Sequence, residues 1–275
     1  MSFTTADVVK LRKVTGAGMM DCKNALTEAD GNFERALEII RERGKLVASK
    51  RVDREAAEGV VLAKVSGTNK VGAMIVLNCE TDFVAKNENF IAFASSILNI
   101  ALENNIESLD ALKNIQMDGR TIEAQVIEQT GIIGEKLELS YYKKINAESV
   151  IAYIHPGNKL ATIVGFNKAK VEIQVAKDVA MQVAAMAPIA VDKDSVSAEV
   201  IAKELEIAKE KYRQEGKPEA MLDKIAQGAL TKFFQEATLL NQAYIKDGKI
   251  SVKEFLAQND KELTVTEFDR YSLNV

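Results

Sequence analysis

The chain has no tryptophan, one histidine, two cysteines and three prolines among its 275 residues. Each scarcity excludes something. His155, Cys22 and Cys79 stand far apart, so no metal-ligand spacing exists and neither metal nor cofactor is expected. The two cysteines fall in different predicted elements, which argues against a disulfide framework and fits a reducing cytosol. No apolar run approaches the roughly 20 residues of a membrane span. Met1-Ser2-Phe3-Thr4-Thr5 lacks a basic region followed by an apolar one, so no signal peptide is expected. An excess of positive charge is missing too: 36 Lys and Arg against 40 Asp and Glu leave a net charge of −4. That is not the clustered basic surface of a general nucleic-acid binder. GxxxxGK[ST], GxGxxG and GxSxG are absent. An enzyme built on His155 and a carboxylate would have no nucleophile or metal beside it, so no catalytic residue is assigned.

What is present is a mixed pattern in a chain long enough for one large or two to three small domains. Residues 4–44 read as three short helices. Thr5 is a candidate cap for the first, Gly16 and Gly18 break it, and Met19-Met20 open the second. Asn32 caps the third, and Gly44 fits its C′ position. The Met19-Met20 pair fits either a core position or an adaptable contact surface. Lys45 to Glu58 is charged and reads as a linker or a solvated helix. The basic pair Lys50-Arg51 reads as a solvated face.

From Gly59 the period changes to that of strands. Gly59–Val65 and Val71–Leu77 flank a Ser66-Gly67-Thr68-Asn69 turn, and the return strand is apolar enough to be buried on both faces. Thr81-Asp82-Phe83-Val84 follows as a short turn. A helix then places Phe90, Phe93, Ala94, Ile97 and Ala101 on one face. From the residues alone Phe83 either tucks under its own sheet or stands in solvent, where burying it would gain roughly 1.5–3 kcal/mol. Ser108 and Thr121 cap two further helices, and Leu137–Tyr142 alternates as a strand.

The hairpin then recurs. Glu148–Ile154, a His155-Pro156-Gly157-Asn158 turn and Lys159–Phe166 repeat the earlier unit, followed again by a helix. Glu58 matches Glu148, Asn69-Lys70 matches Asn158-Lys159, and Asn78 matches Asn167. The spacing of about ninety residues is too long for a solenoid, so this is a duplicated hairpin-plus-helix unit. Only the first copy carries the Asp-Phe turn, and only the second has His-Pro at its tip. After Pro188, Ser195 or Ser197 starts a helix with Ile201, Leu205, Ala208 and Tyr212. Gly216-Lys217-Pro218 turns into a return helix with Leu222, Ile225 and Ala229, giving an antiparallel helical hairpin with a narrow seam. Ser251 caps a short helix, and Leu263–Phe268 alternates as a last strand.

Three stretches carry a family resemblance. They are Leu11-Arg12 with Thr15-Gly16-Ala17-Gly18-Met19-Met20-Asp21-Cys22-Lys23, Cys79 with Thr81-Asp82-Phe83-Val84-Ala85-Lys86, and Val179–Ala185 before Pro188. In this order they closely resemble bacterial elongation factor Ts, a family of guanine-nucleotide exchange factors for elongation factor Tu. The resemblance runs from Thr4 to Tyr271. It implies an α+β fold. A three-helix module of the ubiquitin-associated type covers 1–45 and a linker 46–58. A core N-subdomain covers 59–146, and a core C-subdomain takes 147–187 and 231–275. A protruding coiled-coil arm covers 188–230.

The resemblance further implies no covalent catalysis, a cytoplasmic location and elongation factor Tu as partner, with no membrane and no direct nucleic-acid contact. A dimer or 2:2 complex through the arm stays open. Thr81, Asp82, Phe83 and Val84 are similar to the segment that dislocates the partner's Mg²⁺. His155 resembles the histidine that disturbs the phosphate region, and Leu11, Met19 and Met20 resemble the module's apolar contacts. Pro156, Ala161 and Gln182 depart from the family pattern, and its frequent C-terminal extension is not expected here. The alternative is a ubiquitin-fold-binding adaptor, which accounts for nothing after Lys45.

Overall fold

The first helix is capped one position earlier than expected. Thr4, not Thr5, precedes α1 (Thr5–Thr15): Asp7 N donates to Thr4 Oγ1 at 3.3 Å, and Thr4 N donates to Asp7 Oδ2 at 2.8 Å. The reciprocal pair satisfies two backbone donors that the helix leaves open. In the computed structural model, which describes residues 3–273, α2 (Met19–Glu28) and α3 (Phe33–Lys50) follow. Met1, Ser2, Asn274 and Val275, counted in the first and last expected domains, lie outside the described residues. Val8, Leu11, Cys22, Ala25, Leu26, Ala36 and Ile40 make a small core between the three helices.

Gly44 does not end α3. The helix continues six residues further, to Lys50, into the first part of the expected 46–58 linker. The reason lies in α7 (Ile122–Ile133). A Cβ on Gly131 would stand 2.0 Å from the Cα of Gly44. The two helices therefore cross backbone to backbone at Gly131, where an added carbon would overlap α3; a Cβ on Gly44 would come no closer than 3.5 Å to α7. Beyond the helix, Arg51 pairs with Glu80 at 2.7 Å and Lys136 Nζ donates to Val52 O at 2.9 Å, so the basic pair is partly engaged rather than wholly solvated.

Two three-stranded antiparallel sheets follow. The first is ordered β1 (Glu58–Val65), β2 (Val71–Cys79), β5 (Glu138–Asn146). The second is ordered β6 (Ser149–Ile154), β7 (Leu160–Phe166), β10 (Val265–Ser272). In each, a hairpin gains a third strand from much later in the chain. Between them in sequence lie α4 (Asp82–Ala85), α5 (Glu88–Glu103), α6 (Leu109–Asn114) and a two-residue ladder, β3 (Gln116–Met117) with β4 (Arg120–Thr121).

β2 is apolar throughout because it is covered twice. Ile75 and Leu77 face Phe90, Ala94 and Ile97 of α5. Met74 and Val76 face Val150, Ala161 and Ile163 of the second sheet. The outer face of that sheet, with Val164 and Phe166, packs on α8 (Ile173–Met186) and α11 (Val252–Asn259). The result is helix, sheet, sheet, helix in four layers.

The repeat extends to hydrogen-bond geometry. In the first hairpin Asn69 N donates to Ser66 O and Ser66 N to Val71 O. In the second, Asn158 N donates to His155 O and His155 N to Leu160 O. Asn69 and Asn158 share a left-handed backbone, φ 56° and 57°, which Asn tolerates best after Gly. The two units also clasp each other reciprocally. Val61 N donates to Asn158 O and Val150 N to Asn69 O, both at 2.7 Å. Lys159 reaches Glu58 at 2.5 Å and Lys70 reaches Glu148 at 3.2 Å. Each hairpin tip holds the base of the other, as in an isologous dimer, but within one chain.

Ser197 caps α9 (Ala198–Gln214), and α10 (Glu219–Ala237) returns beside it. Arg213–Glu219 and Lys209–Asp223 pair in antiparallel order. Ala208, Leu222, Ala226 and Leu230 are the buried seam. Ser195 instead closes a short 3-10 turn, Lys193–Ser195. A small ladder, β8 (Ala243–Tyr244) with β9 (Asp247–Ser251), leads to α11.

Candidate functional site

Strand β2 delivers the chain to Thr81 at the end of the first sheet. Thr81 is extended, and its Oγ1 accepts from Val84 N at 3.4 Å, capping the single turn of α4. One turn of helix is not stable by itself. Here Ala85 is buried and Val84 packs on the first core. Thr81 is held from the far side of the sheet end: its N and Oγ1 donate to the two carboxylate oxygens of Glu135 at 3.0 and 2.7 Å. Asn87 Oδ1 then caps α5 through Asn89 N and Phe90 N. With Val84 and Ala85 turned inward, Asp82 and Phe83 are left outward.

Phe83 is 85% exposed, which decides between the two readings that the residues left open. Asp82 accepts from Lys86 Nζ at 2.6 Å. That ammonium, with a smaller contribution from Lys159, holds the Asp82 carboxyl below the usual carboxylate range. The carboxylate is therefore ionised across the physiological range and aimed along the turn.

His155 stands at the tip of the second hairpin, with its Nδ1 2.9 Å from Tyr153 Oη. The reciprocal clasp of the hairpins brings this tip beside α4. Asp82, Lys86, His155, Lys159 and Arg270 line one cleft of about 480 Å³. Asp82 and His155, separate in sequence, thus share a surface. Arg270 comes from β10, with its Nε donating to Ala184 O at 3.0 Å. Nothing in the residue pattern singles out Arg270 or Glu135. Lys159 was visible only as part of the repeat.

The module's residues divide. Met19 and Met20 open α2 and are 41% and 63% exposed. Leu11 is 0% exposed, enclosed by the module's own core. Leu11 as a direct contact is therefore corrected: it supports the surface and does not form it. None of the three lines the cleft. Gln182 is also internal, donating to Gln242 Oε1 and Ala243 O and accepting from Ile245 N.

Cys22 and Cys79 are buried and unpaired with each other. Burial pushes both thiols up, Cys79 to about 12, away from thiolate reactivity. Among the described residues, no group of three His, Cys, Asp or Glu is placed to hold a metal. No helix among the described residues is long and apolar enough to cross a membrane.

Comparison with known proteins gives a family. A family model described as "Elongation factor TS" matches residues 80–274. Elongation factor Ts of Azobacteroides pseudotrichonymphae is 50% identical over 275 residues, covering 100% of both chains. That of Porphyromonas gingivalis is 50% identical over 275 residues, covering 100% of this chain and 99% of the relative. That of Flavobacterium psychrophilum is 50% identical over 273 residues, covering 99% of each. Likeness on this scale, spanning the Asp82-Phe83 turn and the hairpin that carries His155, means that the chain belongs to the elongation factor Ts family.

Proposed function

We propose that this chain is a guanine-nucleotide exchange factor that promotes GDP release from elongation factor Tu during translation elongation in the cytoplasm. The partner follows from family membership. The observation that carries the mechanism is Phe83, a large apolar side chain held 85% exposed on a turn clamped from behind. An apolar slot in the partner would recover the roughly 1.5–3 kcal/mol that its exposure forgoes.

In this reading Phe83 wedges into the partner's nucleotide-binding domain, and Thr81 and Val84 hold the turn that presents it. Asp82 alters the surroundings of the partner's Mg²⁺. That ion is held by few protein ligands plus phosphates, so a small shift of its shell weakens the nucleotide. His155, on the same cleft, disturbs the phosphate-binding region. Met19 and Met20 supply a second apolar contact from the module, over a core that Leu11 fills. No bond is made or broken. The factor binds the nucleotide-free partner more tightly, and linkage then weakens nucleotide binding by the same factor.

In this reading the chain divides into a three-helix module, two related subdomains built on the two sheets, and α9–α10 as a coiled-coil arm. The arm's outer Ile207 and Met221 are half exposed and offer a surface for a dimer or 2:2 complex. Release of fluorescent GDP from elongation factor Tu tests the function. The wild type is expected to accelerate release. Phe83→Ala, at about 2 kcal/mol for a truncated anchor, should slow it about thirtyfold, and His155→Ala several-fold. Full activity of Phe83→Ala would refute the wedge.

A further inference from the structure

The segment that presents Phe83 is tied to one loop by two carboxylates working in opposite directions. The Glu135 side chain, in the loop between α7 and β5, accepts from Thr81 N and Thr81 Oγ1 at 3.0 and 2.7 Å. The Glu80 side chain, one residue before Thr81, accepts from Lys136 N at 2.6 Å. Each strand of this crossing thus lends its side chain to the other's backbone. Glu80 also accepts from Arg51 Nη1 at 2.7 Å, and Lys136 Nζ reaches Val52 O. The end of α3 is therefore fastened to the same clasp.

The clasp lies where a hinge would otherwise be. α4 is four residues long, and only Ala85 in it is fully buried. The Thr81 hydroxyl has two tasks, accepting from Val84 N to start the turn and donating to Glu135. Fixing that hydroxyl fixes the cap, and the cap sets the direction in which Phe83 leaves the sheet. A contact residue loses less ordering entropy on binding when its presenting turn is already fixed.

We propose that Glu135 is a positioning residue for the exchange reaction, presetting the Phe83 turn through Thr81, with Glu80 bracing the same loop from the other side. The inference rests on the wedge reading of Phe83. It assigns Glu135 no contact with the partner.

The test compares Glu135→Ala, Glu135→Gln, Phe83→Ala and the double variant Glu135→Ala/Phe83→Ala in full-length protein. Fluorescent-GDP release is measured over a range of factor concentrations. Glu135→Ala should lower the maximal release rate about tenfold, with the half-saturating concentration changed less than about twofold, as for an interaction expressed in the transition state. Glu135→Gln keeps an acceptor for Thr81 N and should recover most of the loss. In the double variant the two losses should not multiply, because Glu135 acts through Phe83. Backbone hydrogen exchange should quicken at residues 81–86 in Glu135→Ala and stay unchanged in β2 and α5.

Wild-type release by Glu135→Ala beside a defective Phe83→Ala overturns this proposal alone. A multiplicative loss in the double variant overturns it as well. Full activity of Phe83→Ala overturns the wedge on which it rests.

Discussion

At the scale of single residues, the site is a contrast between neighbours. Val84 and Ala85 anchor a turn whose other two residues are left outside. The Asp82–Lys86 pair is exposed, so solvent screens it and it adds little to stability. Its consequence is protonic. The ammonium holds the Asp82 carboxyl below its ordinary 3.8. A folded-state value below the unfolded one means that the pair's contribution is present at neutral pH and fades as pH falls through the depressed value. Lys86→Ala should move the Asp82 midpoint up towards 3.8, read from its side-chain carboxyl carbon by NMR titration. An unmoved midpoint would show that the lysine does not set it. Little of this is legible in sequence. Phe83 could be placed beside Asp82 on a turn, yet the Thr81 that caps this turn is held by Glu135, 54 residues from it along the chain, and Glu135 matches no local pattern.

Helices and strands were easier to read than the contacts between them. Caps at Asn32, Ser108, Thr121 and Ser251 occur where expected, because capping is chemistry between near neighbours. Gly44 was misread for the complementary reason. A glycine that ends a helix and one over which another helix crosses look alike until the crossing residue, Gly131, is known. The seam of α9 and α10 was placed one residue off on the return helix, at Ile225 and Ala229 instead of Ala226 and Leu230. The close crossing gives a prediction at this scale. Gly131→Ala should destabilise the protein by about 1–3 kcal/mol, the usual range for overpacking, and should loosen α3 against α7. Gly67→Ala, with nothing within 4 Å of the added carbon, is the control. Equal melting temperatures for the two variants would contradict the crossing.

For the whole molecule, the duplication was the most informative feature. It was visible because the matched residues are ones that fold a hairpin: an Asn in left-handed conformation at each tip, and an Asn near the end of each return strand, Asn78 within β2 and Asn167 just past β7. The third strands escaped notice as a pair, since β5 and β10 follow insertions of different content and share no obvious motif. The reciprocal clasp, Lys159–Glu58 and Lys70–Glu148, used residues already matched, but a match between copies does not say that the copies touch. The two sheets meet over Met74, Val76 and Ile163, all buried. Met74→Ala should therefore cost about 2–5 kcal/mol and shift urea unfolding monitored from either sheet together. Separate transitions would mean that the sheets fold as independent units.

The account turns on one claim, that Phe83 creates the difference between nucleotide-bound and nucleotide-free partner. The direct measurement is a thermodynamic cycle by titration calorimetry. The affinity of the wild type and of Phe83→Ala is measured for elongation factor Tu with GDP and without nucleotide. The account predicts a large ratio of the two affinities for the wild type and a ratio at least tenfold smaller for Phe83→Ala, with most of the change in the nucleotide-free arm. Equal ratios for the two proteins would contradict it.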